Sequence, residues 1–202
     1  MSNGKWWEKT VEYKFVADAA VNGLMDFVAP LSGRHERTAG DAVFGVDAKL
    51  VLVEFKATFA DVASEETLFE AYGEAQEALQ HYTHHFVVYG TLCSGEVPDL
   101  ELIAERYFVR ETEQPALELL GRGVSKQIFD QYLEALSQFK EEDGRAKGKG
   151  HVSPAAMSTV IGVSNGRVVG VMSLHDYAPS LAPAPTLSQV PTPTYRPRGP
   201  GG

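Results

Sequence analysis

Apolar residues recur at close to helical spacing near the start of the chain, at Trp7, Val11, Phe15, Ala19, Leu24 and Phe27, and the Pro30 to Gly33 stretch ends the pattern. The expectation is an amphipathic helix that covers one face of a sheet. The period then shortens. Residues 41–44 and 49–57 are β-rich runs separated by Gly45-Val-Asp-Ala48, which reads as a hairpin. In the second run Leu50, Val51, Leu52, Val53 and Phe55 leave no solvent side, the pattern of a central strand rather than an edge.

Ser64-Glu-Glu-Thr67 predicts the cap and acidic first turn of a helix running to about Tyr82, with Leu68, Tyr72, Ala75 and Leu79 as its apolar stripe. Residues 86–92 and 100–110 predict two further strands. A long helix is expected over 115–139, with Leu119, Ile128, Leu133 and Leu136 inward, followed by a charged, Gly-rich break over 141–150. Residues 157–174 predict a hairpin around Ser164-Asn165-Gly166, whose central positions tolerate positive φ. Ser153-Pro154 leaves open a short helix there, with only 167–174 as a strand.

From Ala178 onward the chain holds seven of its eleven prolines, two charges and almost no large apolar residues, so it lacks the surface needed to fold. This tail reads as a linker remnant; the polyproline character of Thr192-Pro-Thr-Tyr-Arg-Pro197 makes a partner-domain ligand the alternative. The organisation expected is one α/β domain over 1–177 and a disordered Pro-rich tail over 178–202.

The length of 202 residues and an apolar fraction of 44% suffice for one substantial core. Cys93, the single cysteine, cannot bridge internally and reads as a small buried hydrophobe. With no apolar leader and no stretch of membrane-spanning length, the expectation is a soluble cytoplasmic protein. A net charge of −9 opposes broad attraction to nucleic acid or an anionic membrane, so any phosphate contact falls to a local patch or a partner subunit supplying basic surface.

Glu54 and Lys56 stand two apart on the apolar central strand and leave by the same face. Burying both costs several kcal/mol, on the order of the known penalty for unpaired ions, unless a partner, ligand or metal compensates. A hairpin loop of two or four residues brings Asp41 onto that face, opposite Glu54 or Leu52; a loop of three turns it away. Two carboxylates offer hard oxygen ligands suited to Mg²⁺ or Mn²⁺, whose bound water can become a nucleophile, and the lysine can orient it or stabilise charge on a phosphate.

Gly40-Asp41 followed after thirteen positions by Glu54-Phe55-Lys56 resembles the signature of the PD-(D/E)XK nuclease superfamily, and the order of helix, hairpin, helix and strand over about residues 7–92 is similar to its core. The resemblance implies a restriction-endonuclease-like mixed central sheet flanked by helices, here with the C-terminal β-hairpin and the tail appended. It implies Asp41 and Glu54 as metal ligands, Lys56 as the catalytic lysine, and Glu12 or Glu8 as the acid on the first helix. Gln76 or Gln80 matches the polar position on the second helix. No Pro precedes Asp41, and no clear first strand fits between Leu31 and Gly40.

Arg34, His35 and Arg37 form a local basic cluster before Asp41, equally readable as a phosphate contact or a solvated loop. His81, His84 and His85 lack further ligands spaced for zinc and read as partners of a helix C-terminus. Trp6 and Trp7 read as packing residues. The function expected is metal-dependent hydrolysis of DNA or RNA; the alternative is a non-catalytic interaction module on the same scaffold, acting through protein partners.

Overall fold

The computed structural model describes residues 6–26, 44, 47–69, 71–93, 99–110, 113–141 and 158–178. Asp41, Arg34, His35 and Arg37, residues 142–150 of the charged break, and the tail from residue 179 lie outside them.

Among the described residues the protein is a mixed α/β structure with a six-stranded sheet flanked by helices. The first helix, α1 (Glu8–Val21), buries Val11, Phe15 and Ala19 of the predicted stripe but ends before Leu24, with Gly23 at φ 69 just past its end. β1 (Lys49–Lys56) is central, as its two apolar faces require. A helical connection follows, made of α2 (Phe59–Val62), a 3₁₀ segment (Ala63–Leu68) and α3 (Tyr72–Leu79). It leads to β2 (His85–Cys93), which lies parallel to β1, the βαβ arrangement that a parallel pair demands. β3 (Asp99–Arg106) and the short β4 (Gln114–Pro115) add antiparallel on the far side. A second 3₁₀ segment (Ala116–Arg122) and α4 (Lys126–Glu141) come next, then the hairpin of β5 (Ser158–Ser164) and β6 (Arg167–Ser173), and the single turn α5 (Leu174–Tyr177). The strand order is β4-β3-β2-β1-β5-β6.

The alternation of β1 divides the core into two layers. Val51, Val53 and Phe55 pack with Phe86 and Val88 beneath α1. Leu50 and Leu52 pack with Val87, Val160 and Met172 beneath α3 and α4, which contribute Ala75, Leu79, Phe129, Tyr132, Leu133 and Leu136. Glu54 and Lys56 belong to this second face by alternation.

Several expectations change. The hairpin of 41–44 with 49–57 is replaced: β5 pairs β1 from Lys49 to Glu54, β2 pairs it from Leu52 to Lys56, and Val124 bridges Leu50. The antiparallel neighbour is thus supplied from over a hundred residues downstream, by a strand as β-rich as the local candidate. The expected helix from Ser64 is broken into the 3₁₀ segment and α3, with Phe69 in an extended conformation between them. The expected long helix over 115–139 divides where Gly123 takes an extended conformation and passes close to Lys49. That re-phases the second piece, leaving Ile128 42% exposed while Phe129 and Tyr132 turn inward.

The C-terminal hairpin closes on a two-residue loop, with Asn165 at φ 51 and Gly166 at φ 75 and Ser164 paired to Arg167. These are the positive φ values of a type I′ turn. Next to it, Gly162 lies under the Phe44 ring, and an added Cβ would stand 2.0 Å from Phe44 Cδ1. No helix among the described residues is long and apolar enough to cross a membrane. We expect Gly162→Ala to destabilise the protein by about 1–3 kcal/mol through overpacking, read as a lower urea midpoint at unchanged slope.

Candidate functional site

β1 and β2 both end at the same edge of the sheet because they run parallel, and in sheets of this kind ligands gather outside the carboxyl ends of the strands. Lys56 is the last residue of β1 and lies at that edge. Its ammonium is 2.5 Å from Glu65 Oε1 and 3.6 Å from Glu8 Oε1. Glu65 comes from the 3₁₀ segment and Glu8 from the first turn of α1, so three elements meet on one lysine. Burial works against the ammonium, yet the charge and hydrogen bond of Glu65, then the charges of Glu8 and Glu54, outweigh it and raise Lys56 above its ordinary value. Glu8 is also raised, chiefly by burial, against the opposing pull of Lys56.

Glu54 is 2% exposed. Ser158, its register partner on β5, donates its hydroxyl to Glu54 Oε1, and His85 Nε2 lies 3.8 Å from the same oxygen. His85 Nδ1 hydrogen-bonds the Tyr132 hydroxyl, while its ring stacks on Tyr107 at 3.9 Å and 10°. Tyr107 in turn donates to Glu65 Oε2 at 2.7 Å. Burial first, then the charges of Glu65 and Glu54, hold the Tyr107 phenol well above its usual value, so it keeps the proton it donates to Glu65. The result is one continuous polar seam from Ser158 through Glu54, His85, Tyr107 and Glu65 to Lys56 and Glu8.

The structure therefore brings Glu54 and Lys56 to one face and places Glu8, not Glu12, against the lysine. Glu12 pairs with Lys9 at 2.5 Å on α1. Gln76 donates to the carbonyl of Phe108 at 2.7 Å and anchors α3 to the loop after β3. Sequence reasoning missed Glu65, Tyr107 and Ser158, and placed His85 at a helix C-terminus instead of beside Glu54. The signal for Glu65 was the charge of Lys56 itself, which demanded a buried counter-ion; Ser64-Glu-Glu-Thr67 looked instead like an exposed helix start.

The other singled-out residues also differ from expectation. His84 and His85 are buried rather than capping a helix, and Cys93 is exposed, its thiol donating to Glu101 Oε2 at 2.7 Å. Trp7 is 76% exposed, whereas Trp6 does pack, donating its indole N–H to the Ala57 carbonyl. His84 sits against the rings of Tyr82, Phe129 and Tyr132, with neither ring nitrogen hydrogen-bonded among the described residues. Burial, with a smaller push from His85, lowers it to about 4.

As donors for a divalent ion, the described residues offer Glu54 on the proposed face, with carboxylate oxygens of the hard type Mg²⁺ prefers. No three His, Cys, Asp or Glu among the described residues are arranged to hold a metal ion together. Asp41, the other metal ligand expected from the sequence, lies outside the described residues.

The buried pair makes a stability prediction. Lys56→Met strands Glu65 in the interior and should cost about 3 kcal/mol, while Lys56→Met/Glu65→Gln should fall short of the summed single losses by more than about 1 kcal/mol in urea unfolding. Additive losses would show that the two charges do not depend on each other. His84 predicts a pH effect: the unfolded imidazole takes up a proton near pH 6.5 and the folded one only near 4, so stability falls as pH drops through that window. The loss should amount to about 2–3 kcal/mol relative to His84→Phe, whose unfolding free energy lacks this slope.

Comparison with known proteins assigns no family: no family model matches the chain, and neither the curated proteins nor the solved structures contain a significant match to it.

Proposed function

We propose that the chain is a metal-dependent nuclease that hydrolyses phosphodiester bonds of DNA or RNA at the carboxyl end of β1. The observation that carries this reading is the surplus of acid around Lys56: Glu65, Glu8 and Glu54 all act on one ammonium, where a structural salt bridge needs one carboxylate. The surplus lies at the sheet edge where an α/β scaffold collects ligands. A restriction-endonuclease-like arrangement of the sheet belongs to the same proposal.

In this reading Glu54 and Asp41 hold Mg²⁺ or Mn²⁺, and the ion supplies an activated water and a Lewis acid for the phosphate. Lys56, kept protonated by its carboxylates, stabilises negative charge on the phosphate oxygens as they become more anionic. Glu65 and Glu8 position that ammonium, Tyr107 fixes Glu65, and Ser158 and His85 fix the Glu54 carboxylate. Arg34, His35 and Arg37 supply phosphate contacts in an otherwise acidic chain, or a protein partner supplies the basic surface. The cytoplasm is the proposed location.

A second reading has its own observation. Glu54 is almost wholly buried and Lys56 is matched at 2.5 Å by Glu65, which suits a non-catalytic interaction module that keeps the seam for structure.

Purified protein incubated with single- and double-stranded DNA and RNA and Mg²⁺ or Mn²⁺ separates the two. Cleavage that chelation abolishes, and that falls at least about a hundredfold in Asp41→Asn, Glu54→Gln and Lys56→Met proteins with wild-type circular dichroism, is the expected outcome. No cleavage of any substrate with either ion would transfer the assignment to the interaction module.

A further inference from the structure

A second acidic group, unused by the proposed hydrolytic centre, lies between the first 3₁₀ segment and β3. Phe59, Val62, Glu66, Glu105, Arg110 and Glu113 line a cavity of about 530 Å³, within the usual range for small-molecule sites. Glu105 is only 3% exposed. Its Oε1 accepts from the Tyr89 hydroxyl at 2.9 Å, but its Oε2 is buried with no hydrogen-bond partner among the described residues.

The same Tyr89 hydroxyl lies 3.1 Å from Glu113 Oε1. A phenol has one proton, so it can serve only one of the two carboxylates at a time. Arg110 makes no hydrogen bond to Glu105 or Glu113 among the described residues: its Nη1 goes to Glu66 at 3.2 Å, its Nε to the Tyr107 carbonyl at 3.3 Å, and its Nη2 is buried without a partner among them. The walls thus present three carboxylates against one guanidinium, whose Nη1 is paired with Glu66. Phe59, 61% exposed and 5.5 Å from the Tyr89 ring, adds an open aromatic side.

A buried carboxylate oxygen without a donor costs free energy that a charged N–H donor would recover, and aromatic faces attract cations as well. These acids do not form a cluster suited to a metal ion. We propose that the cavity binds an organic cation, whose ammonium or guanidinium head donates to Glu105 Oε2 and Glu113 while its apolar chain lies along Phe59 and Val62. The inference stands whether or not the chain cleaves nucleic acid.

Titration calorimetry on the full chain tests it with two probes, 1,4-diaminobutane and the amidated tripeptide Gly-Arg-Gly, alongside uncharged 1,4-butanediol and Mg²⁺. Saturable one-to-one binding of a cationic probe, none of the diol, and weakening by about tenfold or more in Glu105→Gln and in Glu113→Gln are expected, with Glu134→Gln on the exposed side of α4 unchanged. Glu113 is exposed, so its variant keeps the test valid if Glu105→Gln fails to fold. The tighter of the two probes identifies a free amine or a protein side chain as the source of the cation. Failure of both probes to saturate, binding that survives Glu113→Gln together with Phe59→Ala, or equal competition by Mg²⁺ would overturn the proposal.

Discussion

The contact on which the rest of the architecture depends is the ion pair of Lys56 with Glu65. It sits at the end of the central strand, with the Glu65 side chain almost wholly buried and that of Lys56 largely so. Carboxylates from α1 and the 3₁₀ segment reach Lys56 and outweigh the burial that works against its charge. Each of those elements is in turn fixed by that pairing. The irregular connection between β1 and β2 follows: a continuous helix from Ser64 would present Glu65 according to its own period, whereas the 3₁₀ segment carries Glu65 inward and leaves Glu66 to meet Arg110 at the surface.

From that pair the seam extends across three strands of the sheet and into the flanking layers. Ser158 on β5, Glu54 on β1, His85 on β2 and Tyr107 just beyond β3 answer one another through hydrogen bonds, proximity and ring stacking. Around it the core is ordinary: aliphatic on the α1 side, more aromatic on the α3 and α4 side. The aromatic bias has a physical role, since Tyr107 and Tyr132 offer hydroxyls to buried polar groups while filling volume with ring carbon.

Much of the frame was legible in the sequence, and what was legible is local. The period of α1, the two-sided apolar run of β1 and the Asn165-Gly166 turn are each written within a dozen residues, and each is present in the structure. The pairing partner of β1 was not legible, because 41–44 and 158–164 are both β-rich and chain proximity favours the wrong one. Glu54 and Lys56 stood out because charges on an apolar strand violate the pattern. Glu65, His85 and Ser158 did not, since a Glu near a helix start, a His after a helix and a Ser at a strand end are unremarkable until the fold brings them together. The same limit hid Glu105, whose isolation is a property of three-dimensional surroundings.

The pairing of β5 with β1 has a consequence for how the molecule is made. As the nascent chain leaves the ribosome, β1 can join β2 early, but its other edge waits for residues that emerge more than a hundred positions later. Until then an apolar strand presents unpaired backbone groups and a Glu54 carboxylate lacking its hydroxyl partner, the kind of edge that recruits other chains. The two ends of the described chain are thus joined by a deadline: Glu54 gains the Ser158 hydroxyl only once the downstream hairpin has arrived.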